Sequence, residues 1–184
     1  PFLRWNRQNA TVDQPVNTRA VVSSHELDTL FRDLYDDAEK SSDWWRHVSA
    51  AAMDSEGALL SIHHNTAMPL EYSGLLESDP RILANRGSNV ELSLYLHAEA
   101  GCISHAAKEG QSLAGGSIYV TTFPCPNCAK LIAASGIKQV YFTEGYAMLD
   151  GQRVLEANDV EIIKVDTQEQ PNTDSHRLIP YPEK

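Results

Sequence analysis

The sequence contains few cysteines and no long apolar run. Three cysteines occur among its 184 residues. Because this number is odd and two of them are spaced Cys-x-x-Cys, the disulfide framework of a small secreted protein is disfavoured. No uninterrupted hydrophobic stretch approaches the roughly 18 residues of a membrane span, and the first residues, PFLRWNRQNATVDQPVNTRAVV, lack the apolar segment of a signal peptide. These absences predict a cytoplasmic location and no membrane partner.

Positive charge is also scarce. The chain has 15 Lys and Arg against 25 Asp and Glu, for a formal net charge of −10. A surface this acidic repels a phosphate backbone, whose binding normally depends on Lys and Arg displacing counterions. Nucleic acid is therefore an improbable partner, and we expect a small-molecule substrate. The hydrophobic fraction of 42% and the charged fraction of 22% are those of a globular protein with one domain.

The first half of the chain predicts an extension, a helix, a hairpin and a long loop. Residues 1–22 are polar and without a sustained period. The segment SSHELDTLFRDLYDDAEKSS carries apolar residues at helical spacing behind Ser24, a suitable N-cap, and so predicts an amphipathic helix. HVSAAAMDSEGALLSIHHN indicates two short strands around a Ser-Glu-Gly turn. Residues 66–89 are irregular, and this loop is a lid, an oligomer contact or a plain surface excursion.

In the second half, helices and strands alternate. Residues 96–109 predict a helix ended by Gly110, and PNCAKLIAAS predicts another, with Pro126 at its first position and Gly136 just past its end. The strands SIYVTT, KQVYFTE and VEIIKV surround these helices and a weaker one, DGQRVLEAND. The polar tail 166–184 follows. This alternation predicts an α/β sandwich whose second half is mainly parallel.

Two cysteines and a histidine have the spacing of metal ligands. Cys125 and Cys128 lie three residues apart at a helix start, so both sulfurs face one side, and the helix dipole favours their thiolate forms. Alone, Cys-x-x-Cys indicates a redox pair, half a zinc site or chance. His97 opens another predicted helix, and two thiolates with one imidazole leave the fourth position of tetrahedral zinc open, as catalytic zinc sites do.

Glu99 is a candidate proton carrier. In the middle of a helix, two side chains at the spacing of His97 and Glu99 would point to opposite sides. At the first turn of a helix, both side chains can reach a point beyond the helix tip. A carboxylate there can take a proton from water and deliver it to a substrate atom. The plainer interpretation is a carboxylate at a helix start that the dipole stabilises. With Pro-Cys-x-x-Cys downstream, we favour the functional interpretation.

The order H-x-E followed by P-C-x-x-C is the signature of the zinc nucleobase deaminases. HAEAGCISHAAKEG and TTFPCPNCAKLIAASGIKQVYF resemble, in residues and spacing, the two zinc motifs of the cytidine and deoxycytidylate deaminase superfamily, and specifically of its dCMP deaminase branch. The tRNA adenosine deaminases typically continue the second motif with Ala-Gly-Ala, which this chain lacks. The likeness is strong over 96–144 and weaker over 44–70, where WRHVSAAAMD and HHNTAMP echo the first hairpin of the branch.

The resemblance implies a fold and a division of the chain. The implied fold is a three-layer α/β/α sandwich with a mixed, roughly five-stranded sheet, as in the cytidine deaminases. The chain then divides into an N-terminal extension (1–22), a zinc deaminase domain (23–165) and a polar tail (166–184). The resemblance also implies a Zn²⁺ cofactor and a homo-oligomer.

The implied activity is hydrolytic deamination of a cytosine nucleotide, dCMP to dUMP with release of ammonia. The resemblance implies that Glu99 is catalytic and that a set of three residues binds the metal. These three are His97, Cys125 and Cys128. For the substrate, Asn65 matches an asparagine that contacts the sugar hydroxyl, and Arg46 matches an arginine before the first strand. Tyr146, just after a strand that ends in Glu144, is a candidate for a pocket wall.

The chain departs from the branch in three places, which leave the substrate open. Ala100-Gly101-Cys102 stands where the family has an Asn, Thr66-Ala67-Met68 replaces a glycine-rich turn, and Ser49 replaces a glycine. A deaminase of nucleosides or of a pyrimidine of the pterin or riboflavin pathways is therefore the first alternative. A non-catalytic zinc-bearing scaffold is the second.

Overall fold

A mixed sheet of six strands forms the centre of the computed structural model, which describes residue 16 and residues 18–43, 46–77, 93–145 and 150–167. The spatial order of its strands is β1-β8-β7-β6-β2-β3. The first four run parallel, whereas β2 is antiparallel to both β6 and β3. The strands are β1 (Ala20–Val22), β2 (Ser49–Met53), β3 (Leu59–His64), β6 (Ser117–Thr122), β7 (Gln139–Glu144) and β8 (Glu161–Val165).

Helices cover both faces of this sheet. They are α1 (His25–Ala38), α2 (Ser73–Leu76), α3 (Ala98–Glu109), α4 (Pro126–Ala134) and α5 (Asp150–Ala157). Helix α1 buries Phe31 and Leu34 against one face. Helices α3, α4 and α5 pack on the other face, where Val120 and Phe142 are buried. Full burial of each such side chain stabilises the fold by about 1.5–3 kcal/mol. The three-layer α/β/α sandwich with a mixed sheet is confirmed.

The first strand of the sheet lies inside the segment that the sequence predicts to be an extension. Ala20–Val22 pairs in parallel with β8, with Ala20 opposite Ile163. The sheet therefore has six strands where roughly five are expected. Three residues are too few to show the alternating pattern of a strand in the sequence. This edge strand is recognised only from its pairing with β8 in the structure.

The predicted caps agree with the structure, except that α3 begins at Ala98 and Leu96, which the sequence places in this helix, belongs to a short strand. The Ser24 hydroxyl accepts a hydrogen bond from the backbone N–H of Leu27 at 3.2 Å and so caps α1. Gly110 ends α3 with a φ of 67°, and Gly136, with a φ of 81°, follows α4. These left-handed conformations favour glycine because it has no Cβ. Pro126 is the first residue of α4, where its missing N–H leaves no helical bond unmade.

The long loop is only partly described. Two short strands, β4 (Thr66–Ala67) and β5 (Tyr95–Leu96), form an antiparallel pair, with α2 between them. The part of the loop from residue 78 to residue 89, and the tail from residue 168 onwards, lie outside the described residues. In the described part of the chain, no helix is both long and apolar enough to cross a membrane.

Candidate active site

The candidate site lies at the sheet edge where the parallel strands β6 and β7 end. Just after β6, the backbone N–H of Phe123 donates a hydrogen bond to the carbonyl of Glu144, the last residue of β7, at 2.8 Å. Helix α4 begins directly after Cys125, and α3 begins directly after His97. Two helix N-termini therefore meet at this edge, as the sequence motifs predict. Ligand sites of α/β sheets are typically found at the carboxyl ends of parallel strands.

Three donor atoms converge between the two helix starts. His97 Nδ1 lies 3.4 Å from the Sγ atoms of both Cys125 and Cys128. All three donor atoms lie within 4.8 Å of one another. In tetrahedral zinc sites, bonds of about 2.0–2.1 Å to nitrogen and 2.3 Å to sulfur place the two ligand atoms about 3.5 Å apart. The spacing and the donor types therefore fit zinc.

Proton affinities in this group are strongly perturbed. The hydrogen bond with Cys125, with the nearby Glu99 charge, raises the pKa of His97 to about 9 although burial opposes this. The pKa of Cys125 falls to about 4 because Cys128 and His97 both hydrogen-bond its thiolate. The pKa of Cys128 rises, since Cys125 is the charged member of the pair and the site is buried. Metal binding requires deprotonated thiols and a neutral imidazole, so an ion bound here would displace the protons of this group.

Glu99 is a buried carboxyl next to this group. It is the second residue of α3, and only 4% of its surface is exposed. Burial raises its pKa, while the charge of His97 acts against this rise and Cys125 adds to it. Its carboxyl also hydrogen-bonds the thiol of Cys128. A carboxyl whose pKa is raised by burial binds a proton more readily than an exposed one, which suits a group that accepts and releases protons.

Asn65 is buried at the end of β3, and its side-chain amide binds the preceding loop. Its Oδ1 accepts a hydrogen bond from the N–H of Val48 at 2.9 Å. Its Nδ2 donates to Asp43 Oδ2 at 3.0 Å and to the carbonyl of Arg46 at 2.9 Å. In addition, the Ser41 hydroxyl donates to the Asn65 carbonyl at 2.7 Å. Asn65 therefore fixes the segment that joins α1 to β2.

The side chain of Arg46 lies at the same sheet edge as Cys125. Its Nη2 contacts Glu144 Oε2 at 3.3 Å and the carbonyl of Gly145 at 3.4 Å. The Tyr35 hydroxyl donates to the other oxygen of Glu144 at 3.3 Å, so this carboxylate is held from two sides. Arg46 is thus positioned next to the end of β7. Tyr146, the third substrate-binding candidate, lies outside the described residues.

Asp43 and Glu144 are members of this region that the sequence does not single out. Asp43 is 3% exposed, and it and Glu99 are the two buried acidic side chains among the described residues. Both positions depend on contacts between distant segments. Asp43 belongs to no motif, and Glu144 is marked in the sequence only as the end of the predicted strand KQVYFTE. The only signal in the sequence is their closeness to a strand start and a strand end.

Two residues of the first zinc motif pack in the core next to β2 and β3. Cys102 is fully buried and behaves as a small core residue, with its thiol directed at the carbonyl of Ala50 at 3.3 Å. Gly101 is closely packed, because a Cβ at this position would lie 3.1 Å from the Cβ of His63.

Comparisons with known proteins agree with this architecture. A family model described as the cytidine and deoxycytidylate deaminase zinc-binding region matches residues 27–144. The probable deoxycytidylate deaminase of Drosophila melanogaster is 35% identical over 135 residues, which is 67% of this chain and 64% of that protein. The deoxycytidylate deaminase of Enterobacteria phage T4 is 51% identical over 51 residues, which is 28% of this chain and 26% of that protein.

Solved structures show the same fold. The dCMP deaminase of cyanophage S-TIM5, in its apo form, superposes with a TM-score of 0.58 and 26% identity over 77% of this chain and 98% of that one. The phage T2 and T4 relatives are matched over only 27% and 26% of their length. The family match covers well over half of the chain and includes all the residues of the His/Cys/Cys group. The chain belongs to the cytidine and deoxycytidylate deaminase zinc-binding family.

Proposed function

We propose that this chain is a zinc-dependent hydrolase that removes the 4-amino group of a cytosine nucleotide, most specifically dCMP, to give dUMP and ammonia. The observation that carries the proposal is the buried carboxyl of Glu99 next to the convergent His97, Cys125 and Cys128 donors. A non-catalytic scaffold would need the ligands but not this carboxyl. The deoxycytidylate deaminases among the relatives support the choice of substrate.

In this proposal, His97 and the two cysteines hold the ion. Zinc supplies Lewis-acid activation of water near neutral pH when it is bound. The three side chains come from two helix starts, so the backbone holds them in position and little rotamer entropy is lost when an ion binds.

Glu99 moves the protons. It accepts one proton of a water molecule as the water oxygen adds to C4 of the cytosine ring, and it passes this proton to N3. It then accepts the second proton of that oxygen and passes it to the departing amino group. The C4–N bond breaks, ammonia leaves and the ring carries a carbonyl. Burial raises the pKa of Glu99, which makes its carboxylate a stronger proton acceptor than an exposed one and supports this role.

The substrate-side residues are part of the same proposal. Asn65 would meet the sugar and Arg46 an anionic group of the nucleotide, with Tyr146 as a wall of the pocket. Support for Asn65 and Arg46 comes from their places beside β2 and β7 at the edge that carries Cys125. Homo-oligomeric assembly and a cytoplasmic location also belong to this proposal. Light scattering of the purified chain tests the oligomeric assembly.

Ammonia release by the zinc-loaded protein tests the activity. The substrates are dCMP, CMP, deoxycytidine, cytidine, dCTP and a diaminopyrimidine, and we expect the highest kcat/KM for dCMP. Glu99→Gln should keep the metal and lose at least about 100-fold in kcat. Glu109→Gln, at the exposed end of the same helix, is the matched control and should leave kcat unchanged.

Metal analysis separates the remaining outcomes. Cys125→Ser should lose zinc, and stability with it, because metal binding is coupled to folding. One zinc ion bound per chain, with no turnover of any of these substrates, would show that the protein is a non-catalytic zinc-bearing scaffold. Turnover of deoxycytidine but not of dCMP would move the substrate to nucleosides, and full activity of Glu99→Gln would contradict the role of that carboxyl.

A further inference from the structure

Two histidines face each other where helix α3 packs on the edge strand β3. The ring centroids of His63, on β3, and His105, on α3, are 5.3 Å apart, and their planes are inclined by 53°. Both side chains are partly exposed. Neither belongs to the His/Cys/Cys group, although both lie within the stretches HHNTAMP and HAEAGCISHAAKEG that resemble the family.

The backbone brings these rings together and holds them there. Gly101 allows α3 to approach β3 so closely that a Cβ would lie 3.1 Å from that of His63. His105 follows Gly101 by one helical turn, so it lies on the same face of α3. His63 pairs with Ala50 in register, and the small Ala50 side chain is buried under this helix. The two imidazoles are thus fixed by packing.

Their separation fits two ligands of one metal ion. Imidazoles bound to one ion at about 2.0–2.1 Å per bond, with a tetrahedral angle, place their ring centroids about 5 Å apart. The rings of Tyr119 and Tyr141, by contrast, stack at 4.5 Å with planes inclined by only 9°. The histidine planes, inclined by 53°, do not stack in this way, although a centroid separation of 5.3 Å also occurs in tilted aromatic pairs.

The chemistry of the pair also suits a cation. Burial and the facing His105 lower the pKa of His63, so at neutral pH its ring is uncharged and offers a lone pair. Imidazole is a good ligand for Zn²⁺, Cu²⁺ and Ni²⁺. The net charge of −10 raises the local concentration of divalent cations around the chain.

We propose that His63 and His105 form a second transition-metal site, which binds Zn²⁺, Cu²⁺ or Ni²⁺ through two imidazole nitrogens, with water completing the coordination. The site connects β3 to the helix that carries Glu99 near its start. Because the unfolded chain does not hold the two rings together, a bound ion stabilises the fold.

Native mass spectrometry of the zinc-loaded chain and of three variants tests this site. The variants are His63→Gln, His105→Gln and His25→Gln; the last replaces an exposed histidine at the start of α1 and is the matched control. We expect His63→Gln and His105→Gln each to bind one ion fewer than the unaltered chain, and His25→Gln to bind the same number. Addition of Ni²⁺ should raise the Tm of the unaltered chain and of His25→Gln. The rise in Tm should be smaller for His105→Gln.

The proposal is independent of the His97 group. If that group took no ion, the unaltered chain would still bind one more ion than His105→Gln. Circular dichroism establishes that each variant is folded, and His105→Gln suffices alone should His63→Gln unfold. Equal numbers of bound ions in the unaltered chain and in folded His105→Gln would overturn the proposal, as would an equal Ni²⁺-induced rise of Tm in the two.

Discussion

Replacing Asn65 by Asp should create a repulsion whose size depends on pH. The Asn65 amide nitrogen lies 3.0 Å from the buried Asp43 carboxylate. Asn65→Asp puts a second carboxylate there and removes the donor to the Arg46 carbonyl. At an effective dielectric constant of about 20, two charges about 3 Å apart repel each other by roughly 5 kcal/mol. Binding a proton at pH 7 to a carboxyl of pKa about 3.9 costs about 4 kcal/mol, which is less.

The folded variant should therefore take up a proton that its unfolded chain does not hold. Its free energy of unfolding at pH 7 should fall by about 4 kcal/mol relative to the unaltered protein. Because the folded state binds the extra proton, the variant loses stability as pH rises and recovers it as pH falls towards about 4. Between pH 7 and pH 5.5 the gap should narrow by about 2 kcal/mol.

Urea unfolding of the two proteins at both pH values measures this gap. Asn158→Asp makes the same chemical change at an exposed residue and should cost less than about 0.5 kcal/mol. In Asn65→Asp combined with Asp43→Asn, an amide again faces a carboxylate, so this double variant should be more stable at pH 7 than Asn65→Asp alone. A gap below about 1 kcal/mol at pH 7, or one that does not change with pH, would refute the electrostatic reasoning.

Two further predictions concern stability. Gly116→Ala should destabilise the fold by about 2 kcal/mol or more, since the new Cβ would collide with the Met53 carbonyl, and an unchanged urea midpoint would show that the backbone yields there. Burial raises the pKa of Asp37, but hydrogen bonds from Lys40, Ser49 and His64 together lower it by more than burial raises it. The pKa of Asp37 is therefore below its ordinary value. The stability from Asp37 is therefore present above about pH 4 and lost as pH falls through its folded pKa. Asp37→Asn should cost about 1–3 kcal/mol at pH 7 and less in acid, and urea unfolding across pH would contradict this if the difference stayed constant.

The sequence predicts the convergence of the metal group because local rules determine it. Pro126 after Cys125 and the motif around His97 identify two helix starts, and alternating strands and helices bring such starts to one sheet edge. The side chain of Glu99 is directed to this group because it lies in the first turn. These relations need only local periodicity and one rule of topology.

The polar contacts around the substrate side could not be predicted in the same way. The Asp43–Asn65 and Arg46–Glu144 contacts join residues that are 22 and 98 positions apart. Which loop meets which strand end depends on the sheet order β7-β6-β2-β3, and no local pattern in the sequence shows that order. The resemblance implies that Asn65 contacts the sugar of the substrate. It does not reveal the structural role of Asn65, whose side-chain amide binds the backbone of the preceding loop.

The origin of the two groups of side chains has a consequence for how new activities could arise in this scaffold. The proposed ion-holding and proton-carrying residues belong to helix starts that are packed on the core, whereas Asn65, Arg46 and Asp43 come from connecting segments. Exchange of the connecting segment around residues 41–48 would replace residues of the substrate side and none of the residues at the two helix tips. Diversification of the substrate can then proceed by loop replacement, with the reactive centre inherited intact.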